Sequence, residues 1–276
     1  MANVSTAELV SQAVRDETAV VALNVITLEH AEAILLGAAR AAAPVILQVS
    51  ENAIRYHHGG VPLLAACAAL VEDHEADASI HLDHVSDVEL LELARNDLGV
   101  SSVMYDASEL SYDDNVARTR VVTDDLHEQG TWVEAELGAI GGKGGAHAPG
   151  VRTDPAEAAA FVAATGVDAL AVAVGSTHAM TSQTASLDFD LVRTIASVVP
   201  VPLVLHGSSG VPRDQLREAI RAGIRKINVG TALNVAFTRA VRAALTDDAL
   251  TDPRRYLGPA RDATAASVRQ ILEELR

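Results

Sequence analysis

Short apolar runs rich in β-branched residues alternate with longer stretches of helical period along nearly the whole chain. The runs fall at Val20–Val25, Pro44–Ser50, Ser79–His84, Ser101–Tyr105, Thr131–Gly138, Leu170–Gly175, Pro202–His206 and Lys226–Val229. Runs this short, bounded by Gly, Pro, Asn, Asp or Ser, predict strands. Around them, apolar positions recur every three or four residues over Leu28–Ala42, Pro62–His74, Asp87–Leu98, Asp113–Gln129, Asp154–Thr165, Asp188–Val198, Arg213–Ala222 and Ala232–Leu245, which predicts helices. Ahead of the first run, Ser5 stands where an N-cap would and an amphipathic pattern extends to Glu17; a last helix is expected from about Arg261 to Leu275.

Eight strand-then-helix units, with no Pro/Gly/Ser-rich linker and no shift in composition, predict one domain over residues 1–276. The expected fold is a single closed (β/α)8 barrel of TIM type, with an N-terminal helix and a C-terminal helical extension. An open doubly wound sheet competes with it, and the polar residues favour the barrel. Each run ends in groups capable of chemistry: Asn24, Ser50, His84, Asp106, Glu136, Ser176 with His178, His206, and Asn228 with Thr231. In a closed barrel these C-terminal ends converge on one mouth, whereas in an open sheet most lie too far apart to cooperate. The Pro-bounded segment Asp252–Pro259, which carries Arg254, is expected to cover a barrel end or reach a neighbouring subunit.

Composition narrows the function classes. The hydrophobic fraction is 49% and the aromatic fraction 3%, so the core must be built of Ala, Val, Leu and Ile, which suits helices on a parallel sheet. A formal net charge of −16 works against nucleic acid or an anionic membrane as partner. Only two lysines are present, Lys143 and Lys226, so a bound phosphate would fall to Arg, backbone N–H groups or hydroxyls. The single cysteine, Cys67, excludes an internal disulfide and reads as a buried thiol on a helix. No basic N-terminal region precedes an apolar core and no apolar run approaches about 18 residues, so a cytoplasmic location is expected.

His84, His178 and His206 fall at the ends of the third, sixth and seventh strands. Three imidazoles with an open fourth position form a catalytic zinc site able to polarise a carbonyl oxygen. Asp83 directly precedes His84, and in a regular strand their side chains would point to opposite faces; a bend at the strand end is needed to bring both to the mouth. Asp106 and Glu136 could orient a ligand histidine or bind metal in a second position, and His81 is expected to be structural. Gly207-Ser208-Ser209-Gly210 before the Arg213 helix, and Asn228-Val229-Gly230-Thr231 after the eighth strand, read as paired anion cradles at helix entries. The glycine-rich stretch Gly138–Gly150 reads as a loop over the mouth.

Taken together these residues resemble the class II, metal-dependent ketose-bisphosphate aldolases, the fructose- and tagatose-bisphosphate type. The likeness runs from Ala22-Leu23-Asn24-Val25 to Asp252-Pro253-Arg254. It is most specific at His81-Leu82-Asp83-His84, Val133–Gly138, Thr153-Asp154-Pro155, Thr165–Ala171, Leu205–Gly210 and Lys226–Val229. The resemblance implies that His84, His178 and His206 bind one zinc ion per subunit, with Asp106 and Glu136 at an alternative position, and that a monovalent cation joins the site. It implies that Asp83 moves the proton of the hydroxyl whose C–C bond breaks, giving dihydroxyacetone phosphate and glyceraldehyde 3-phosphate through a metal-stabilised enediolate. Gly207, Ser209, Asn228 and Thr231 would hold the dihydroxyacetone-phosphate end, Ser50 and Arg254 the distal phosphate, and Asn24 and Gly175 the rest of the substrate. A homodimer or homotetramer is implied.

The chain departs from that pattern in two places. Ala179-Met180-Thr181-Ser182 follows His178 where a tyrosine and a lysine are usual, and Lys143-Gly144-Gly145 follows Gly141-Gly142 where an acidic pair is usual. Alternatives therefore stand beside a ketose 1,6-bisphosphate substrate: another phosphorylated ketose or keto-acid, such as 5-dehydro-2-deoxygluconate 6-phosphate, or a non-catalytic barrel partnering an aldolase. A Schiff-base aldolase would need a pocket lysine, and neither lysine is expected there.

Overall fold

The computed structural model describes residues 4–96, 98–137, 152–177 and 180–276. His178 and the glycine-rich stretch 138–150 therefore lie outside the described residues. In chain order the elements are α1 (Thr6–Arg15), β1 (Val20–Asn24), α2 (Leu28–Ala41), β2 (Val45–Ser50), α3 (Glu51–Tyr56), α4 (Val61–Asp73), β3 (Ala78–Val85), α5 (Glu92–Arg95), β4 (Val100–Tyr105) and α6 (Tyr112–His127). They continue with β5 (Trp132–Leu137), α7 (Pro155–Thr165), β6 (Ala169–Val172), α8 (Phe189–Val198), β7 (Leu203–Leu205), α9 (Arg213–Ala222), β8 (Ile224–Val229), α10 (Thr231–Ala244) and α11 (Arg254–Glu274). The strands pair in parallel in sequence order and close β8 onto β1. The expected barrel is the observed one.

Strand alternation explains its two cores. Leu23, Val49, Ile80, Leu82, Val103, Val133, Leu170, Leu205 and Ile227 point outward and pack under the helix ring. Val20, Ala22, Ile46, Trp132, Ala169, Ala171 and Val204 point inward, where Leu9 and Val10 of α1 meet them and plug the barrel floor. Helix α1 is held by a capping box between Ser5 and Glu8. Its Thr6 hydroxyl lies 2.8 Å from Ser79 Oγ and accepts from Ser102 Oγ at 2.6 Å. Cys67 is buried, and burial pushes its thiol up to about 12.

Two expected helices differ from the observed ones, and one further helix is present. A six-residue helix, α3, follows β2 directly, because Ser50 caps it with its own hydroxyl and Glu51 bonds the N–H groups of Ser86 and Asp87. The expected helix 87–98 is a 3-10 turn, Val88–Leu91, followed by the short α5. The last helix begins at Arg254 instead of Arg261 and accommodates Pro259 inside it. Packing of α11 against α2 outweighs that lost hydrogen bond: a Cβ on Gly37 would come within 2.7 Å of the Ala265 carbonyl oxygen, so the two helices run very close.

Candidate active site at the barrel mouth

A cavity of about 700 Å³ opens at the C-terminal ends of the strands. Asn24, Ser50, Asp83, His84, Asp106, Glu136, Gly207, Ser209, Asn228 and Thr231 all line it, so ten of the residues singled out in sequence converge as expected. Gly175, Arg254 and the fully buried His206 do not line it. Strand β6 ends at Val172, earlier than predicted, and Gly175 sits beyond it at φ 122° with its Cα against the Ser186 carbonyl. Arg254 is an exposed first-turn residue of α11 whose guanidinium donates to Asp252 at 2.8 Å.

The bend demanded by adjacent Asp83 and His84 is present. Between the pairs Leu82↔Val103 and Val85↔Tyr105, β3 spends three steps where β4 spends two, which is a β-bulge. His84 carries the anomaly with a positive φ of 102°, costly for a residue with a side chain. Both side chains thereby turn inward and both are buried.

Each histidine is oriented by a carboxylate behind it. His84 Nδ1 lies 2.6 Å from Asp106 Oδ2, and Asp106 Oδ1 in turn accepts from the Ser108 hydroxyl at 2.7 Å. His206 Nε2 lies 2.8 Å from Glu134 Oε1. The inner nitrogens, His84 Nε2 and His206 Nδ1, then face each other at 3.1 Å, with Glu136 Oε2 at 4.0 and 3.9 Å from them. Two nitrogens held by one tetrahedral zinc at about 2.0–2.1 Å would stand about 3.4 Å apart. The donor set thus fits a divalent ion, with the carboxylate-backed imidazoles usual around such ions. Two groups of candidate ligand atoms, Asp83-His84-His206 and His84-Asp106-Glu136, each lie within 4.8 Å. Thr177, the residue before His178, packs its backbone against Gly207, directly after His206.

Below this layer lies a buried polar network that sequence reasoning did not single out. Lys226 Nζ donates to Glu134 Oε2 and to Asn228 Oδ1, both at 2.8 Å; Asn228 Nδ2 donates to Asp83 Oδ1 at 3.2 Å. Lys226 is the third residue of β8, not its first, and its amine is committed to an ion pair. Burial works to raise the Glu134 carboxyl, but Lys226, then His206 and His81, outweigh it and hold it well below the usual range. The same contest at Asp83 has the same winner: burial raises it, and its surroundings, His84 foremost and then His206 and Lys226, keep it low. His81 is fully buried, bonds Ser102 Oγ at 2.8 Å, and is driven down to about 3, chiefly by burial and next by Lys226. Its expected structural role agrees with a neutral ring deep in the barrel. The signal for Glu134 and Lys226 was period two: they share the inward face with Glu136 and Asn228.

The anion cradle needs one correction. A 3-10 turn, Ser208–Gly210, separates β7 from α9, so the α9 N-terminus is set back. Helix α10 instead presents its first turn, with Gly230, Thr231 and Asn234 lining the cavity. Ser209 Oγ accepts the Ala232 N–H at 3.1 Å and ties the two loops together. Gly207 sits at φ 66°, and Gly230 packs so close to Asn24 that a Cβ would meet its Oδ1 at 2.9 Å.

A buried aspartate beside two carboxylate-backed histidines, at the mouth of an α/β barrel, is the make-up of an enzyme suited to proton and metal chemistry. Comparison with known proteins makes the class specific. The family model for fructose-bisphosphate aldolase class-II matches residues 4–276. The chain is 41% identical over 273 residues to the fructose-bisphosphate aldolase of Geobacillus stearothermophilus, covering 97% of this chain and 95% of that one. It is 38% identical to the 6-phospho-5-dehydro-2-deoxy-D-gluconate aldolase of Bacillus subtilis, covering 99% and 96%. Among solved structures, the YdjI aldolase of Escherichia coli superposes with a TM-score of 0.84 at 27% identity, covering 99% and 96%. The chain belongs to the class II fructose-bisphosphate aldolase family, and is a carbon–carbon lyase.

Proposed function

We propose that this enzyme is a zinc-dependent aldolase that reversibly cleaves fructose 1,6-bisphosphate to dihydroxyacetone phosphate and glyceraldehyde 3-phosphate. The observation that carries this reading is the 3.1 Å approach of His84 Nε2 and His206 Nδ1 beside buried Asp83, across from the cradle of Gly207, Ser209, Gly230 and Thr231. His84 and His206, with His178 proposed as the third ligand, would hold the ion; Asp106 and Glu136 lie where a second position would be. A divalent ion bound there supplies Lewis-acid polarisation of the ketose carbonyl.

Asp83, ionised in the barrel interior, accepts the proton of the C4 hydroxyl. The C4–O bond becomes a carbonyl as the C3–C4 bond breaks, and its electron pair passes into the C2 carbonyl. A proton returned to C3 completes dihydroxyacetone phosphate. Asn228 holds Asp83 at 3.2 Å through this cycle, and the cradle anchors the phosphate so that the broken bond stays over the carboxylate. Residence in the cytoplasm and assembly as a homodimer or homotetramer belong to the same reading. A coupled assay for dihydroxyacetone phosphate over a panel of ketose phosphates, with and without chelator, tests it. Cleavage that is lost on chelation and restored by zinc supports it, and chelator-resistant cleavage overturns the metal assignment.

A second substrate has an observation behind it. The Bacillus subtilis relative named for a phosphorylated deoxy-keto-acid aligns over 99% of the chain, nearly as similar as the fructose-bisphosphate enzyme. That substrate belongs in the same panel.

A further inference from the structure

Among the described residues that line the mouth, one carries a permanent positive charge. Glu51, Asp83, Asp106, Glu109 and Glu136 contribute carboxylates, and Arg118 of α6 alone contributes a guanidinium. Its head is exposed and makes no ion pair among the described residues, unlike Arg55, Arg95 and Arg254, which each lie against a carboxylate. Its neighbour is Tyr105, the buried last residue of β4, which lines the same cavity and whose hydroxyl feels the guanidinium's charge. An arginine that lines the mouth, forms no ion pair with a described residue and stands beside a buried tyrosine is placed for an anion that arrives with a ligand.

Position says which anion. The strands close in the order one to eight, so β4 lies diametrically across the mouth from β8. The cradle of Gly207, Ser209, Gly230 and Thr231 follows β7 and β8; Arg118 and Tyr105 stand on the opposite wall; Asp83 and His84 come from β3, beside β4. A substrate with one phosphate in the cradle and its scissile bond at Asp83 points its far end at Arg118.

We infer that Arg118, beside Tyr105, is a specificity-determining residue that selects substrates whose aldehyde half ends in an anionic group, a phosphate or a carboxylate. This deepens the aldolase reading and rests on it. It also supplies, from another wall, positive charge in a mouth whose sequence lacks the lysine usual after His178.

The test compares wild type with Arg118→Gln, Arg118→Lys and Tyr105→Phe. The substrates are fructose 1,6-bisphosphate, 5-dehydro-2-deoxygluconate 6-phosphate with its carboxylate end, and fructose 1-phosphate with a neutral end. For Arg118→Gln, kcat/KM should fall roughly 10- to 100-fold on the substrates with an anionic far end that the wild type uses, with fructose 1-phosphate changed less than about two-fold. Arg118→Lys should recover part of the loss, and Tyr105→Phe should show a smaller loss of the same selectivity. The arm with the larger loss identifies phosphate or carboxylate as the natural group. Equal losses on all substrates, or an unchanged preference, overturn the inference. Calorimetric binding of glucitol 1,6-bisphosphate and glucitol 1-phosphate separates the two readings. If wild type cleaves nothing, the aldolase proposal fails, yet Arg118→Gln must still weaken the bisphosphate alone; loss for neither ligand or for both overturns the role of Arg118.

Discussion

His84 and His206 bring their inner nitrogens to 3.1 Å while Asp106 and Glu134 hold the outer ones at 2.6 and 2.8 Å. The pair is therefore built from behind, and residues that touch no substrate fix what the two rings offer to the cavity. Glu134 itself is held by Lys226, which reaches it from β8 through the barrel interior.

Removing Lys226 should be costly for folding. Lys226→Met leaves the Glu134 carboxylate buried and uncompensated, and urea unfolding should show a loss of about 3–5 kcal/mol. Adding Glu134→Gln to that variant should return part of the stability, since the stranded charge is then gone. A double variant as weak as the sum of the two singles contradicts the pairing.

Asp83→Ala should lower kcat by about 10²–10⁴, the range for a lost acid/base. Metal content measured by atomic absorption should stay close to one equivalent, because His84 and His206 keep their own supports. Parallel loss of zinc would show Asp83 to be a ligand instead of a proton carrier.

Acid should destabilise the barrel through His81. Its folded value, about 3, is depressed by burial, against about 6.5 unfolded. Between those values the unfolded chain binds the extra proton, so stability is whole above about pH 6.5 and drains away as pH falls toward 3, by on the order of a few kcal/mol. Urea midpoints of chelator-treated protein from pH 8 to 4 should slope less steeply in His81→Gln. Parallel slopes would remove His81 from the account.

Gly207→Ala should disturb the site more than the fold. The residue holds φ 66°, and a Cβ would meet the Thr177 carbonyl oxygen at 2.5 Å, displacing the strand-six loop just before His178. Zinc affinity should fall at least ten-fold with a loss of roughly 1–3 kcal/mol in stability; unchanged zinc affinity would separate that loop from the metal centre.

The barrel was legible because periods of two and of three to four residues survive in every unit, and because parallel strands under helices are apolar on their outer face. The strand-end groups could be read for the same reason. What escaped was decided by contacts distant in sequence. Glu134 and Lys226 are 92 positions apart and meet only across the closed barrel, α3 depends on bonds from Glu51 to the loop after β3, and Arg118 sits mid-helix, where a charge ordinarily reads as solvated surface. Arg254 was placed at the distal phosphate by resemblance, and within one subunit it lies elsewhere.

The bulge at Asp83-His84 has a partner upstream. From Ile80↔Val100 to His81↔Ser102, β4 gains a residue, Ser101; from Leu82 to Val85, β3 gains one back. The two irregularities cancel in phase, so Val85 again faces the helices and the circumference of the barrel is undisturbed. Only the residue each strand gains, Ser101 on β4 and one of the Asp83-His84 pair on β3, breaks the alternation, for His81 still faces inward and Leu82 outward. Deleting a single residue from either strand would shift everything above it to the wrong side of the wall, whereas removing the matched pair would restore a regular ladder and leave one inward position for two functional side chains. The site can be lost in this way without the barrel being lost, and proton carrier and metal ligand stand or fall together.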